Sequence, residues 1–377
     1  MRRRFSLGLI VNPVAGLGGR VGLKGTDGLA EEALKRGAVP LAGAKTLRAL
    51  ARLAAKRQPL VALLTGHGPM GHEAAARLGF LAELVSVCPR TATDAADTRA
   101  AALEMMRKPV DLILFAGGDG TARDIFDVVG DRTPLLGIPA GVKMQSAVFA
   151  TAPEAAGEIV SALAAETNPG RIQYRLSEVM DLDEDMRRQG AISPRLHGYA
   201  RVPHVPRLLQ NAKARSMSLN EAAVDEAARE LARKLDPQKL YAIGPGRTTK
   251  KILEALGLEG ALLGTDLIAG GRLIARDADE QAILAAAGGR ALGIVVGVIG
   301  GQGYVFGRGN QEISPAVIRM AGKAAVTVIA AQEKLLALPD RRLLVDTGDA
   351  GLDRELQGFW RIVVGPAEDM VMRVAAA

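Results

Sequence analysis

Apolar residues recur along this chain in short continuous runs, most of them followed by glycine or proline, with longer amphipathic stretches between them. The runs at 7–11, 60–64, 81–87, 112–115 and 135–138 are too short for helices and rich in Leu, Ile and Val, which predicts strands buried on both faces. Between them, 45–56 and 93–106 carry apolar positions at the helical spacing. Strand and helix in alternation predict an α/β fold: an N-terminal doubly wound, mostly parallel sheet, with ligands at the carboxyl ends of its strands.

Beyond this region a helix is expected over 152–163, opened by Pro153 in its first turn. Residues 175–237 change character, with acids at Asp181, Asp183, Glu184 and Asp185, then Pro-, His- and Arg-rich sequence, then a helical pattern over 219–235. The acids read as a turn or helix start. Alternation resumes at 241–243, which feeds Gly244-Pro245-Gly246-Arg247-Thr248-Thr249 and a helix through Leu256. The apolar run 291–299 feeds Gly300-Gly301-Gln302-Gly303, and further strands are expected over 326–330, 343–345 and 361–364. The expected organisation is a nucleotide-binding α/β domain over 1–150, a helical connector or insertion over 151–237, and a second domain of mixed α and β over 238–377. The last strand could return to the first domain.

Composition narrows the function. Hydrophobic residues at 48% and charged residues at 24% belong to an ordered globular protein. Aromatics at only 3% argue against base-stacking platforms, so nucleic acid is not an expected partner. The net charge of +7 is spread along the chain; it reads as a solvated surface or as an attraction for anionic ligands such as nucleotides. A lone cysteine, Cys88, excludes an internal disulfide framework and points to a reducing, cytoplasmic compartment. The histidines show no zinc spacing, and His67 and His72 read as loop residues. The apolar start at Phe5 ends at Asn12-Pro13 and reads as a strand, and no run approaches the ~20 residues of a membrane helix.

The chemistry concentrates where strand 112–115 runs into Gly117-Gly118-Asp119-Gly120-Thr121. Glycines let the backbone approach a polyphosphate closely, and a helix starting at Thr121 would place its positive end on the same anion. A carboxylate there needs a task. Asp119 could hold Mg²⁺ against phosphates or accept a proton from an attacking hydroxyl, and the competing role is a turn aspartate bonding its own backbone. Asp124 stands at capping-box spacing from Thr121, with a second metal-ligating carboxylate as the sharper alternative. Arg123 either touches phosphate or faces water. A second glycine-rich loop, Asn12-Pro13-Val14-Ala15-Gly16-Leu17-Gly18-Gly19, leaves the first strand, followed by Arg20 and Lys24. A third, Gly137-Ile138-Pro139-Ala140-Gly141-Val142-Lys143-Met144-Gln145-Ser146, offers a lysine and a hydroxyl beside a tight turn.

These loops, in this order, resemble the ATP-NAD kinase family, which is related more distantly to diacylglycerol-type lipid kinases. Gly300-Gly301-Gln302-Gly303-Tyr304 and Gly307-Arg308-Gly309-Asn310-Gln311 resemble the branch called acetoin catabolism protein X. The resemblance implies that Asp119 is the base activating the 2′-hydroxyl of NAD, which attacks the terminal phosphate of ATP or polyphosphate with Mg²⁺ or another divalent metal. It implies nucleotide contacts at Asn12, Gly16, Gly18, Gly19, Gly117, Gly118, Gly120, Thr121, Gly141, Lys143 and Ser146. Gly244, Gly246, Thr248, Thr249, Gly300 and Gly301 become ligand loops of the second domain, and a homo-oligomer is expected. The chain departs from the kinases in lacking a clear Asn-acid pair and a Thr-Pro-Thr-Gly-Ser-Thr-type segment. It also carries Gln145 where the branch has His, and Arg247 where it has Thr. Other acceptors, a lipid or small alcohol, and a non-catalytic accessory role in acetoin catabolism remain alternatives.

Overall fold

The computed structural model describes residues 3–23, 30–57, 60–86, 93–142, 144–166, 172–182, 194–204, 221–299, 302–338 and 341–377. Its first sheet consists of parallel strands β1 (Phe5–Val11), β2 (Val61–Gly66), β3 (Ala82–Ser86), β4 (Leu112–Gly117) and β5 (Leu135–Pro139) in the order β3-β2-β1-β4-β5. The central strands are mostly apolar because helices cover the sheet, and β4 and β5 are buried along their whole length. Helices Ala42–Arg57 and Pro153–Ala165 pack on each other, as do Ala95–Arg107 and Asp119–Val129. Leu7, Leu9, Leu50, Leu53, Phe115, Ile125 and Ile159 meet in the core between them. The strand order reverses between β1 and β4, and such a switch point is where open α/β sheets bind ligands, beyond the carboxyl ends of the strands.

The region read as a helical connector or insertion holds the helices Pro153–Ala165 and Glu221–Lys234, and between them a long hairpin, β6 (Tyr174–Leu182) paired with β7 (Pro194–Pro203). Its strand signal was blurred because its exposed positions include Leu176, Leu196 and Tyr199 while Ser177 is buried, so apolar and polar residues do not sort by face. Asp183, Glu184 and Asp185 lie outside the described residues, as do Cys88 and Lys24. The helix Glu221–Lys234 packs with Arg247–Ala255, burying Val224, Ala227 and Ala228 against Ile252 and Leu253.

The second sheet has nine strands. They are β8 (Leu240–Ile243), β9 (Thr265–Ala269), β10 (Arg272–Ala278), β11 (Leu292–Gly297), β12 (Tyr304–Phe306), β13 (Val326–Ile329), β14 (Arg342–Val345), β15 (Gly358–Gly365) and β16 (Glu368–Ala376). The order is β10-β9-β8-β11-β13-β15-β16-β14-β12. The C-terminal strands stay in this sheet and do not join the first: β15 and β16 pair antiparallel, and β16 also pairs with β14. His72 opens the helix His72–Arg77 rather than lying in a loop.

Candidate functional site

Three loops meet at the switch point. Asn12, the residue after β1, donates its backbone N–H to the Ala116 carbonyl at 2.9 Å and its Nδ2 to the Thr121 hydroxyl at 3.0 Å. The loop after β5 turns back over the end of β4, where Ala140 and Gly141 both donate to the Gly117 carbonyl, at 3.0 and 2.9 Å. Gly118 and Gly141 cross backbone to backbone. A methyl group on Gly141 would lie 2.7 Å from the Gly118 Cα, closer than any real contact allows. Gly16 adopts φ +79°, and a methyl there would lie 2.1 Å from the Ala140 carbonyl oxygen. These glycines let all three loops share one small volume.

The helix begins at Asp119, not Thr121, with Gly118 as its N-cap and no side chain capping it. The capping-box reading of Asp124 therefore fails: the Thr121 hydroxyl takes Asn12, and Asp124 accepts from Arg99 at 2.7 Å and faces Arg123 at 3.7 Å. Arg123 in turn pairs with Asp181 of β6 at 3.0 Å. With no cap at Gly118, the amides of the first turn stand at the crevice, the arrangement that holds anions.

Asp119 is buried in this first turn. Its Oδ2 accepts the Gln145 N–H at 2.7 Å and its Oδ1 the Ser146 N–H at 3.0 Å. Burial pushes its carboxyl up to about 6, although hydrogen bonds from Ser146 and the Gln145 amide favour the anion, and Asp181 adds a further upward push. The Ser146 hydroxyl also accepts the Met180 N–H at 2.9 Å, so it ties the loop to β6. Among the described residues no group of three or more acidic, His or Cys side chains could cage a metal. Asp124 is engaged with arginine, so Asp119 is the one carboxylate at the loop crossing.

The second sheet's loops close on the same place. Gly309 N–H and Gln311 Nε2 both donate to the Val142 carbonyl, at 3.1 and 2.9 Å, and Gln302 Nε2 reaches Met144 O at 3.4 Å. Beside them lies a buried ion cluster that sequence reasoning did not single out. Asp346 faces Lys45 at 3.9 Å and both Arg48 and Arg308 at 3.4 Å, and Arg48 also pairs with Glu154 at 2.7 Å. Burial alone would raise the Asp346 carboxyl, but the three cations outweigh it and hold it below the usual range. Burial brings Lys45 down to about 8 against the pull of Asp346. Lys45 had one visible signal: it interrupts the apolar stripe of its helix, one turn before Ala49.

The other expected ligand loop has a structural use. The Thr249 hydroxyl is buried and donates to the Gly244 and Gly246 carbonyls, at 2.6 and 2.8 Å, while Gly246 serves as N-cap with φ +113°. Thr248 is half-buried. Among the described residues no hydrogen bond or ion pair ties 244–249 to the first-sheet loops. Gly18 and Gly19 lie on the loop after β1, where Gly19 abuts Gln311, and Gly120 is inside the first helical turn. Lys143, Gly300 and Gly301 lie outside the described residues.

With this geometry in place, comparison with known proteins is specific. Residues 7–167 match the ATP-NAD kinase N-terminal domain, and residues 238–374 match the ATP-NAD kinase C-terminal domain. No curated protein matches the chain. The two matches fall in chain order, span well over half the sequence, and each coincides with one of the two large sheets. The chain belongs to the ATP-NAD kinase family.

Proposed function

We propose that the chain transfers the terminal phosphate of ATP, or of polyphosphate, to the 2′-hydroxyl of NAD, with Asp119 as the general base. The observation that carries this reading is Asp119 itself. It is a buried carboxyl raised to about 6, at the open N-terminus of a helix, in the switch-point crevice where α/β sheets bind nucleotides. At neutral pH it is ionised yet basic enough to take a hydroxyl proton. Each of its oxygens accepts one backbone N–H, and the Ser146 side chain bonds the same carboxyl. The amides at 118–121, Asn12 and the glycines of the loop after β1 supply phosphate and ribose contacts. A divalent metal bound to the donor's phosphates would neutralise charge that builds on them, and Asp119 is the residue placed to meet it.

The test is NADP formation from NAD, ATP and Mg²⁺ by wild type and Asp119→Asn side by side. Turnover reduced roughly 10²- to 10⁴-fold in the variant, with nucleotide binding retained, is the expected result. A wild type that binds both nucleotides and makes no NADP would sink the reading. It would favour the alternative of a nucleotide-binding accessory protein, for which one observation speaks: Asp119 already fastens the loop at 145–146.

A further inference from the structure

The loop from Pro139 to Thr151 delivers both N–H groups that Asp119 accepts. Its backbone is tied to Gly117, Gly137 and Glu178, and side chains from other elements take further carbonyls near its two ends. Lys45 Nζ donates to Pro139 O at 3.1 Å, where the loop leaves β5. Gly309, Gln311 and Gln302 take the carbonyls of Val142 and Met144. At the far end, Arg308 Nη2 at 3.1 Å and the Tyr304 hydroxyl both donate to Thr151 O, and the Arg308 guanidinium lies over the Tyr304 ring. The cations at the two ends of the loop, Lys45 and Arg308, share one buried counter-ion, Asp346, from the end of β14.

We infer that Lys45 and Arg308, gathered on Asp346, are positioning residues: they pin both ends of the 139–151 loop and so hold the Gln145 and Ser146 amides on Asp119. The physical argument is directional. Neither cation touches Asp119, and both direct N–H groups at loop carbonyls instead of meeting their carboxylate squarely, since the Asp346 Oδ2 has no hydrogen-bond partner among the described residues. Here the acceptor fixes where the cations stand, and the cations fix the loop. The second sheet thereby controls the geometry of a carboxylate in the first.

The inference rests on the proposed function only for its kinetic arm. The decisive measurement is amide hydrogen exchange of the full chain, read over peptides covering 140–151 and, as an internal reference, 112–117. The charge-balanced variant Lys45→Met/Asp346→Asn is expected to speed exchange over 140–151 roughly tenfold or more, while 112–117 exchanges at the wild-type rate. If that variant does not fold, Tyr304→Phe, which deletes one hydroxyl, carries the same measurement. Arg319→Met, which removes an exposed ion pair to Asp349, is the control and should change neither peptide. In the kinetic arm, kcat should fall roughly 10- to 100-fold with KM for both nucleotides nearly unchanged, the split expected of a displaced catalytic group. Unchanged exchange over 140–151 in a folded variant would overturn the inference. A wild type without NADP synthesis would remove the proposed function and leave the exchange result to decide this one.

Discussion

Asp119 owes its character to where its carboxyl sits. An aspartate in water titrates near 3.9, whereas burial here raises the group to about 6. A base must be ionised to act, so NADP formation should climb as pH rises through about 6 and then level off, read from a kcat profile between pH 5 and 8. Asp119→Asn should abolish that limb along with the rate. Gly141 illustrates the opposite constraint, a site where any side chain is too large. Its methyl group would sit 2.7 Å from the Gly118 Cα, and neither backbone can yield without moving a loop. Gly141→Ala should therefore lower stability by ~1–3 kcal/mol in urea unfolding and reduce turnover with it.

At the scale of elements, the helix Asp119–Val129 and the hairpin β6–β7 act together. Phe126 packs edge-on to His197 with ring centroids 6.0 Å apart, and a methyl on Gly198 would lie 2.4 Å from the Phe126 ring, so the hairpin lies close on the helix. This brings Asp181 near Asp119, where its negative charge pushes the carboxyl upward, and Arg123 pairs with Asp181 at 3.0 Å. Arg123→Ala weakens that compensation. The acid limb of the rate profile should then move to higher pH, and a limb that stays in place would show that the hairpin's charge does not reach the base. Arg123, left open between phosphate contact and solvent by its sequence position, is thus tied to a carboxylate of another element.

Across the whole molecule, the two sheets are joined by buried charge. Asp346 opposes Lys45, Arg48 and Arg308, all at least partly withdrawn from water. Removing Asp346 leaves Lys45 and Arg308 facing each other in low dielectric, with Arg48 still held by Glu154. Asp346→Ala should therefore cost ~3–5 kcal/mol in equilibrium urea unfolding at neutral pH. The sign of its pH dependence follows from its depressed carboxyl. The stabilisation is complete above the unfolded value of ~3.9 and is lost as pH falls from there through the lower folded value.

Much of this was readable before any coordinates. Continuous Leu, Ile and Val runs such as 112–115 can only be strands covered on both faces, and the Gly-Gly-Asp-Gly-Thr segment after one of them marks the crevice, because local sterics and hydrophobic period act over a few residues. The parallel first sheet and the ATP-NAD kinase resemblance follow from such local signals. The helix start at Asp119, the hairpin β6–β7 and the bonds of the Thr249 hydroxyl to the Gly244 and Gly246 carbonyls did not, since each depends on which backbone groups already have partners. The seam lay furthest out of reach. Lys45, Arg308 and Asp346 are far apart in the chain, and each alone resembles an ordinary surface charge. Only the folded arrangement, which withdraws all three from water around one carboxylate, gives them a use.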